Sequence, residues 1–201
     1  MRQVIFVTDG DLSAKGVLEW LAPQMDCYCI CASSGNPSTI DEQQLLKAIQ
    51  EAPDVPILVM FDDCGCLNEG PGERNMRFLA NHPDIQVLGA LAVAAQTHAW
   101  EWTHVDVSVD RFGHLTAYGV DKEGLADLEV GRINGDTVSV LDDLQLPIVV
   151  GIGDIGKMAR FDDVGRGAPV TRQAISLILE RSGLNAEGGK EKNVQYKPDR
   201  K

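Results

Sequence analysis

The chain has 201 residues and a formal net charge of −12, from 18 Lys and Arg against 30 Asp and Glu. That length supports one hydrophobic core. The charge excludes a nucleic-acid backbone as the main partner, since neutralising phosphates takes Lys and Arg, and it excludes attachment to anionic lipid by charge alone. It suits a bound cation or a basic protein surface. No apolar run reaches the roughly 18 residues that span a bilayer. The longest, Val87 to Ala95, is strand-sized, and the N-terminal apolar stretch is too short for a signal peptide. The chain is therefore expected to be soluble, with no transmembrane segment.

In chain order, "QVIFVTDG" reads as a β-branched strand ending in turn residues, and "SAKGVLEWLAPQM" as a helix with Ser13 near its start. "CYCICAS" reads as a second strand and "STIDEQQLLKAIQEA" as a second helix. Ser38 or Thr39 would cap that helix, with Asp41 and Glu42 in its first turn and an apolar stripe of Ile40, Leu45, Leu46 and Ile49. "VPILVMFDD" is a strand apolar throughout, "GERNMRFLANHP" a helix stopping before Pro83, and "IQVLGALAVAA" a fourth strand. Strand and helix in alternation imply right-handed βαβ crossovers. Runs apolar on every residue fit strands buried on both faces. The expected fold is α/β, a doubly wound, mostly parallel sheet with helices on both faces.

The second half is mixed. "THVDVSVDRFGHLTAYGV" alternates, with Val105, Val107 and Val109 on one face and Asp106, Ser108 and Asp110 on the other. It reads as a half-exposed β-hairpin at one sheet edge. "DTVSVLDDL" reads as helical, "PIVVGIGD" as another buried strand, and "VTRQAISLILERSG" as a last helix capped by Thr171 and stopped at Gly183. Residues 1–184 are expected to form a single domain. Residues 185–201 are polar with almost no aliphatic side chain, as in a disordered tail.

Five cysteines, Cys27, Cys29, Cys31, Cys64 and Cys66, are an odd set spaced one residue apart within each group. That spacing fits neither a zinc ribbon nor a thioredoxin-type pair. On a strand, Cys27, Cys29 and Cys31 would pack together on one face.

Ligands of open α/β sheets bind beyond the carboxyl ends of the strands. Three predicted strands end in acids and glycines. These are Asp9, Gly10 and Asp11; Asp62 and Asp63, followed by Gly70 and Gly72; and Asp154, Gly156 and Lys157. Parallel strands would bring these tips to one edge. Clustered carboxylates repel unless a cation joins them, and oxygen donors favour Mg²⁺ or Ca²⁺. The expected ligand-binding set is Asp9, Gly10, Asp11, Asp62, Asp63, Gly70, Gly72, Asp154 and Gly156, with Asp9, Asp62 and Asp63 as metal ligands. The bland alternative is that these aspartates cap helices and shape turns. His98, in "QTHAWEWTH" after the fourth strand, joins the ligand-binding set as the histidine nearest a strand end. Trp100 and Trp102, with the hairpin, are candidate contact surfaces for a homodimer.

Taken together, "VTDGD", "MFDD", "GPGE", "NHPDIQVLGALAVA", "VDVSVDRFGHLTAYGVDKEG", "GDTV" and "VGIGDIGKMARFDDV" resemble the stage V sporulation protein AE family of endospore-forming bacteria, from about Val4 to about Gly183. The resemblance implies a sporulation-specific protein encoded with membrane proteins that move dipicolinic acid and Ca²⁺. It implies a role in germination, peripheral to the spore inner membrane, with that machinery as partner. It carries no catalytic residues with it. Two functions follow. One is a non-enzymatic accessory protein of that machinery. The other is a metal-dependent hydrolase or phosphotransferase using Asp9, Asp62 and Asp154.

Overall fold

The computed structural model describes residues 1–65, 69–95 and 102–184. His98, Trp100, Cys66 and the tail after Leu184 lie outside them. The strands are β1 (Arg2–Val7), β2 (Tyr28–Cys29), β3 (Ile57–Met60), β4 (Ile85–Val93), β5 (Thr103–His104), β6 (Val107–Val109), β7 (Leu115–Thr116), β8 (Tyr118–Val120), β9 (Ala126–Val130), β10 (Arg132–Ile133) and β11 (Val149–Ile152). The helices are α1 (Leu12–Leu21), α2 (Glu42–Glu51), α3 (Pro71–Ala80) and α4 (Pro169–Arg181).

A seven-stranded sheet in the order β2-β3-β1-β4-β11-β6-β7 forms the body of a mixed α/β fold. Every pairing in it is parallel except β6 with β7. Successive side chains of a strand point to opposite faces, and the core divides accordingly. Ile5, Val7, Leu58 and Met60 join α1 and α4 in one buried cluster, while Val4, Phe6, Ile57 and Val59 join α2 and α3 in another. Two short antiparallel pairs, β5 with β10 and β8 with β9, belong to the C-terminal half.

The structure departs from the sequence reading in several places, each for a local reason. The second strand is only two residues long, because the Ser33 hydroxyl donates to the Ile30 carbonyl (2.6 Å) and accepts the Met60 amide (2.9 Å), replacing the next rung of the ladder. Cys31 therefore opens a tight turn and is exposed, while Cys27 and Cys29 are buried, with thiols pushed up to about 12 by burial. Ser108 is fully buried, because β6 pairs with β11 and its side chain sits against Gly151. Residues 136–144 yield only a 3-10 turn at Ser139–Asp142. Thr137 holds φ at 60°, and the β-branched Val138 and Val140 resist a longer helix.

Helix caps also differ. Asp41, not Ser38 or Thr39, caps α2, in a capping box with Gln44. Asp11 caps α1. Thr171 lies inside α4 rather than at its cap, and the α4 amides are met from outside by Asp162. This fully buried carboxylate accepts from the Val170 and Thr171 amides (2.9 and 3.0 Å), the Thr171 hydroxyl (2.6 Å) and the Gly156 amide (3.2 Å). Removing it would strand several buried donors at once. Asp162→Ala should lower unfolding free energy by about 3 kcal/mol or more in a urea titration, with Asp162→Asn losing less.

Candidate functional site

The parallel strands deliver their carboxyl ends to one edge of the sheet, and a cleft of about 350 Å³ opens there. Asp9, Asp11, Asp62, Asp136 and Asp154 line it, together with Lys157, Thr8, Asn36, Cys64, and Val93 and Ala95 at the end of β4. Among the described residues, five carboxylates thus share the cleft with one ammonium.

Each carboxylate is placed by its loop. Thr8 ties the end of β1 to β4: its amide donates to the Leu91 carbonyl (3.1 Å) and its hydroxyl accepts the Val93 amide (2.9 Å). Asp9 follows. One of its oxygens accepts the Asp11 amide (3.1 Å), and the other, Oδ2, is buried without a partner among the described residues. Gly10 is required by close approach, since a Cβ there would lie 2.5 Å from the Gly35 carbonyl and 2.9 Å from the Asp62 Cβ. The Gly10 amide donates to Asp62 (3.3 Å), whose second oxygen accepts the Cys64 amide (2.8 Å). Asp11 divides its carboxylate between the Ala14 amide of α1 (2.8 Å) and Lys157 Nζ (2.7 Å). Asp154, just beyond β11, holds the same ammonium with both oxygens (3.0 and 3.1 Å). Gly156 packs against Ser13 and Val17 of α1 and donates its amide to Asp162, so it shapes the loop that carries Lys157.

Asp63, Gly70 and Gly72 stand apart from this group. The Asp63 carboxylate accepts the Gly72 and Glu73 amides at the start of α3 (2.6 and 3.0 Å), and a Cβ on Gly70 would collide with it. These three residues serve a helix cap, the bland alternative of the sequence reading. The carboxylates that converge as a possible metal group are Asp9, Asp11 and Asp154 rather than Asp9, Asp62 and Asp63. The cleft also takes in Asp136, which the sequence pattern does not single out: it sits in "NGD", the same Gly-Asp turn that ends β1 and β11, where the pattern predicts the start of a helix. It reaches the cleft because its carboxylate accepts the Gly65 amide (2.7 Å).

Burial, and then the Asp11 charge, push the Asp9 carboxyl up to about 7. Burial and Asp136 push Asp62 up to about 6. Asp154 is also raised, chiefly by burial. For Asp11 burial is outweighed by Lys157 and the Ala14 amide, so its carboxyl lies below the usual range, while Asp11 and Asp154 raise Lys157 against its own burial. The set can therefore hold positive charge or take up protons near neutrality.

A model of the Stage V sporulation protein AE1 family matches residues 3–182. The chain belongs to this family. Membership gives it a sporulation-related role, and the matched span includes every element that builds the cleft. No curated protein and no solved structure matches. No helix among the described residues is long and apolar enough to cross a membrane.

Asp9 and Asp62 make stability depend on pH. Their folded values lie above the unfolded value of 3.8, so their contribution is complete below about pH 4 and is lost as pH rises through about 6 and 7. In chelator-treated buffer, Asp9→Asn should flatten that decline and exceed wild type in stability at pH 8, by about 2 kcal/mol, in denaturant titrations at several pH values.

Proposed function

We propose that this family member is a non-enzymatic accessory protein of sporulation and spore germination. It works with the machinery that moves dipicolinic acid and Ca²⁺, peripheral to the spore inner membrane, and the acidic cleft is its ligand site. The observation that carries this reading is that Asp9, Asp11, Asp62, Asp136 and Asp154 line one cleft at the sheet edge with Lys157, in a chain whose family gives it a sporulation-related role. Such a surface favours a cation, or a carboxylate ligand bridged by one.

A partner surface is available on the other part of the chain. Phe112, Leu115, Tyr118, Leu128 and Val130, around β7 to β9, are all exposed, and Leu128 is 94% exposed. Exposed apolar side chains in one region suit docking on membrane partners or on a second copy.

A second reading, metal-dependent phosphoester hydrolysis or transfer, is favoured by the unpartnered Asp9 oxygen beside Asp11 and Asp154. One set of experiments separates the two. Ca²⁺ with dipicolinate should raise the thermal midpoint of the purified protein, equivalent to about 2.7 kcal/mol at a hundredfold excess over the dissociation constant. Asp62→Asn, which removes a negative charge from the cleft, should reduce the shift, and spores carrying it should release dipicolinate slowly. Metal-dependent turnover of a phosphoester that disappears in Asp62→Asn would replace the accessory role with the enzymatic one.

A further inference from the structure

We infer that Asp9, Asp11 and Asp154 form a seat for a hard divalent cation, and that Lys157 is its built-in competitor, an ammonium that the cation displaces. This rests on reading the acidic cleft as the ligand site, and adds the ligand class and its control.

One carboxylate oxygen from each of the three aspartates lies within 4.8 Å of the other two. An ion at the metal–oxygen distance of Ca²⁺, roughly 2.3–2.6 Å, bridges oxygens spaced this way. The donors are all carboxylate oxygens, which select Ca²⁺, Mg²⁺ or Mn²⁺ over softer metals. The cleft leaves room for water on the remaining positions, and Asp62 and Asp136 add negative potential from its far side.

A second observation is independent of the clustering. Asp9 is only 7% exposed, and its Oδ2 has no hydrogen-bond partner among the described residues. A buried carboxylate oxygen without a donor is costly, and native proteins rarely leave one so. Lys157 does not satisfy it. The ammonium bonds Asp11 and Asp154, at 2.7 to 3.1 Å, and leaves the Asp9 Oδ2 unmet. A cation on all three would meet every one.

Lys157 is suited to leave. Its side chain is 47% exposed, so it can swing into water with its charge solvated. The backbone that presents it is unusual. Met158, Ala159 and Arg160 follow with φ of 46°, 51° and 70°, three consecutive non-glycine residues in the left-handed region. Met158 is buried and anchors this turn, so departure of the ammonium needs only side-chain rotation.

The test is calorimetric titration of Ca²⁺ and Mg²⁺ into the chelator-treated full chain. Lys157→Gln should bind about tenfold more tightly than wild type, the order expected when one partly exposed counter-charge is removed. Asp154→Asn should lose binding, and Asp11→Asn, which keeps a capping side chain on α1, should do so with the fold intact by circular dichroism. Equal or weaker binding by Lys157→Gln overturns the competitor role. Absence of binding by both wild type and Lys157→Gln overturns the seat itself. Spore phenotypes are read separately. Tighter binding by Lys157→Gln in a protein whose Asp62→Asn spores release dipicolinate normally would refute the accessory role and leave the cation seat standing.

Discussion

The contact on which the rest of the site depends is the ammonium of Lys157 between Asp11 and Asp154. It joins the first strand-loop of the chain to the last, across 146 residues. A parallel sheet sends its strands' carboxyl ends to the same edge, and here β1, β3 and β11 end in aspartates. Without a positive charge among them the edge would repel itself. The same loops hold the halves together by neutral contacts, with the Ser13 hydroxyl donating to the Ile155 carbonyl (3.1 Å) and Gly156 packed on α1.

The acidic composition also has a structural use. All four α-helices of the described residues have their N-terminal amides met by an aspartate: Asp11 at α1, Asp41 at α2, Asp63 at α3 and Asp162 at α4. Negative charge at a helix N-terminus meets both the free amides and the positive end of the dipole. For α1 and α2 the cap is the residue just before the helix. For α3 and α4 the carboxylate comes from several residues upstream, through a loop that folds back. Glycines make the α3 arrangement possible, since Gly70 leaves the space that Asp63 fills.

Asp9 and Asp62 neither cap a helix nor hydrogen-bond to Lys157. Asp62 accepts two loop amides, and Asp9 accepts one and leaves an oxygen unmet. Their carboxyls are correspondingly the most strongly raised among the cleft acids, to about 7 and about 6. Carboxylates that stabilise the fold lie beside carboxylates that cost it stability, within one cleft. The second kind mark where binding would return free energy to the folded state.

The sequence by itself determined the mixed α/β class, the mostly parallel strands and the acids at their tips. Those features follow from local periodicity and from short-range turn chemistry, which a linear chain displays. It also carried the family motifs along almost its whole length. It misplaced caps wherever the capping group arrives from a distance, as Asp162 does for Thr171 and its neighbours. It took Ser108 for a solvent-facing residue because alternation cannot reveal a strand on the far side. Only the tertiary structure decided which acids share a cleft. Asp9 and Asp62 were placed at strand ends in the same way as Asp63, yet Asp63 turns to α3 and Asp136 enters from the opposite half. That choice depends on the geometry of loop closure, on how far each carboxylate is from the nearest unmet amide, and this distance exists only once the sheet is assembled.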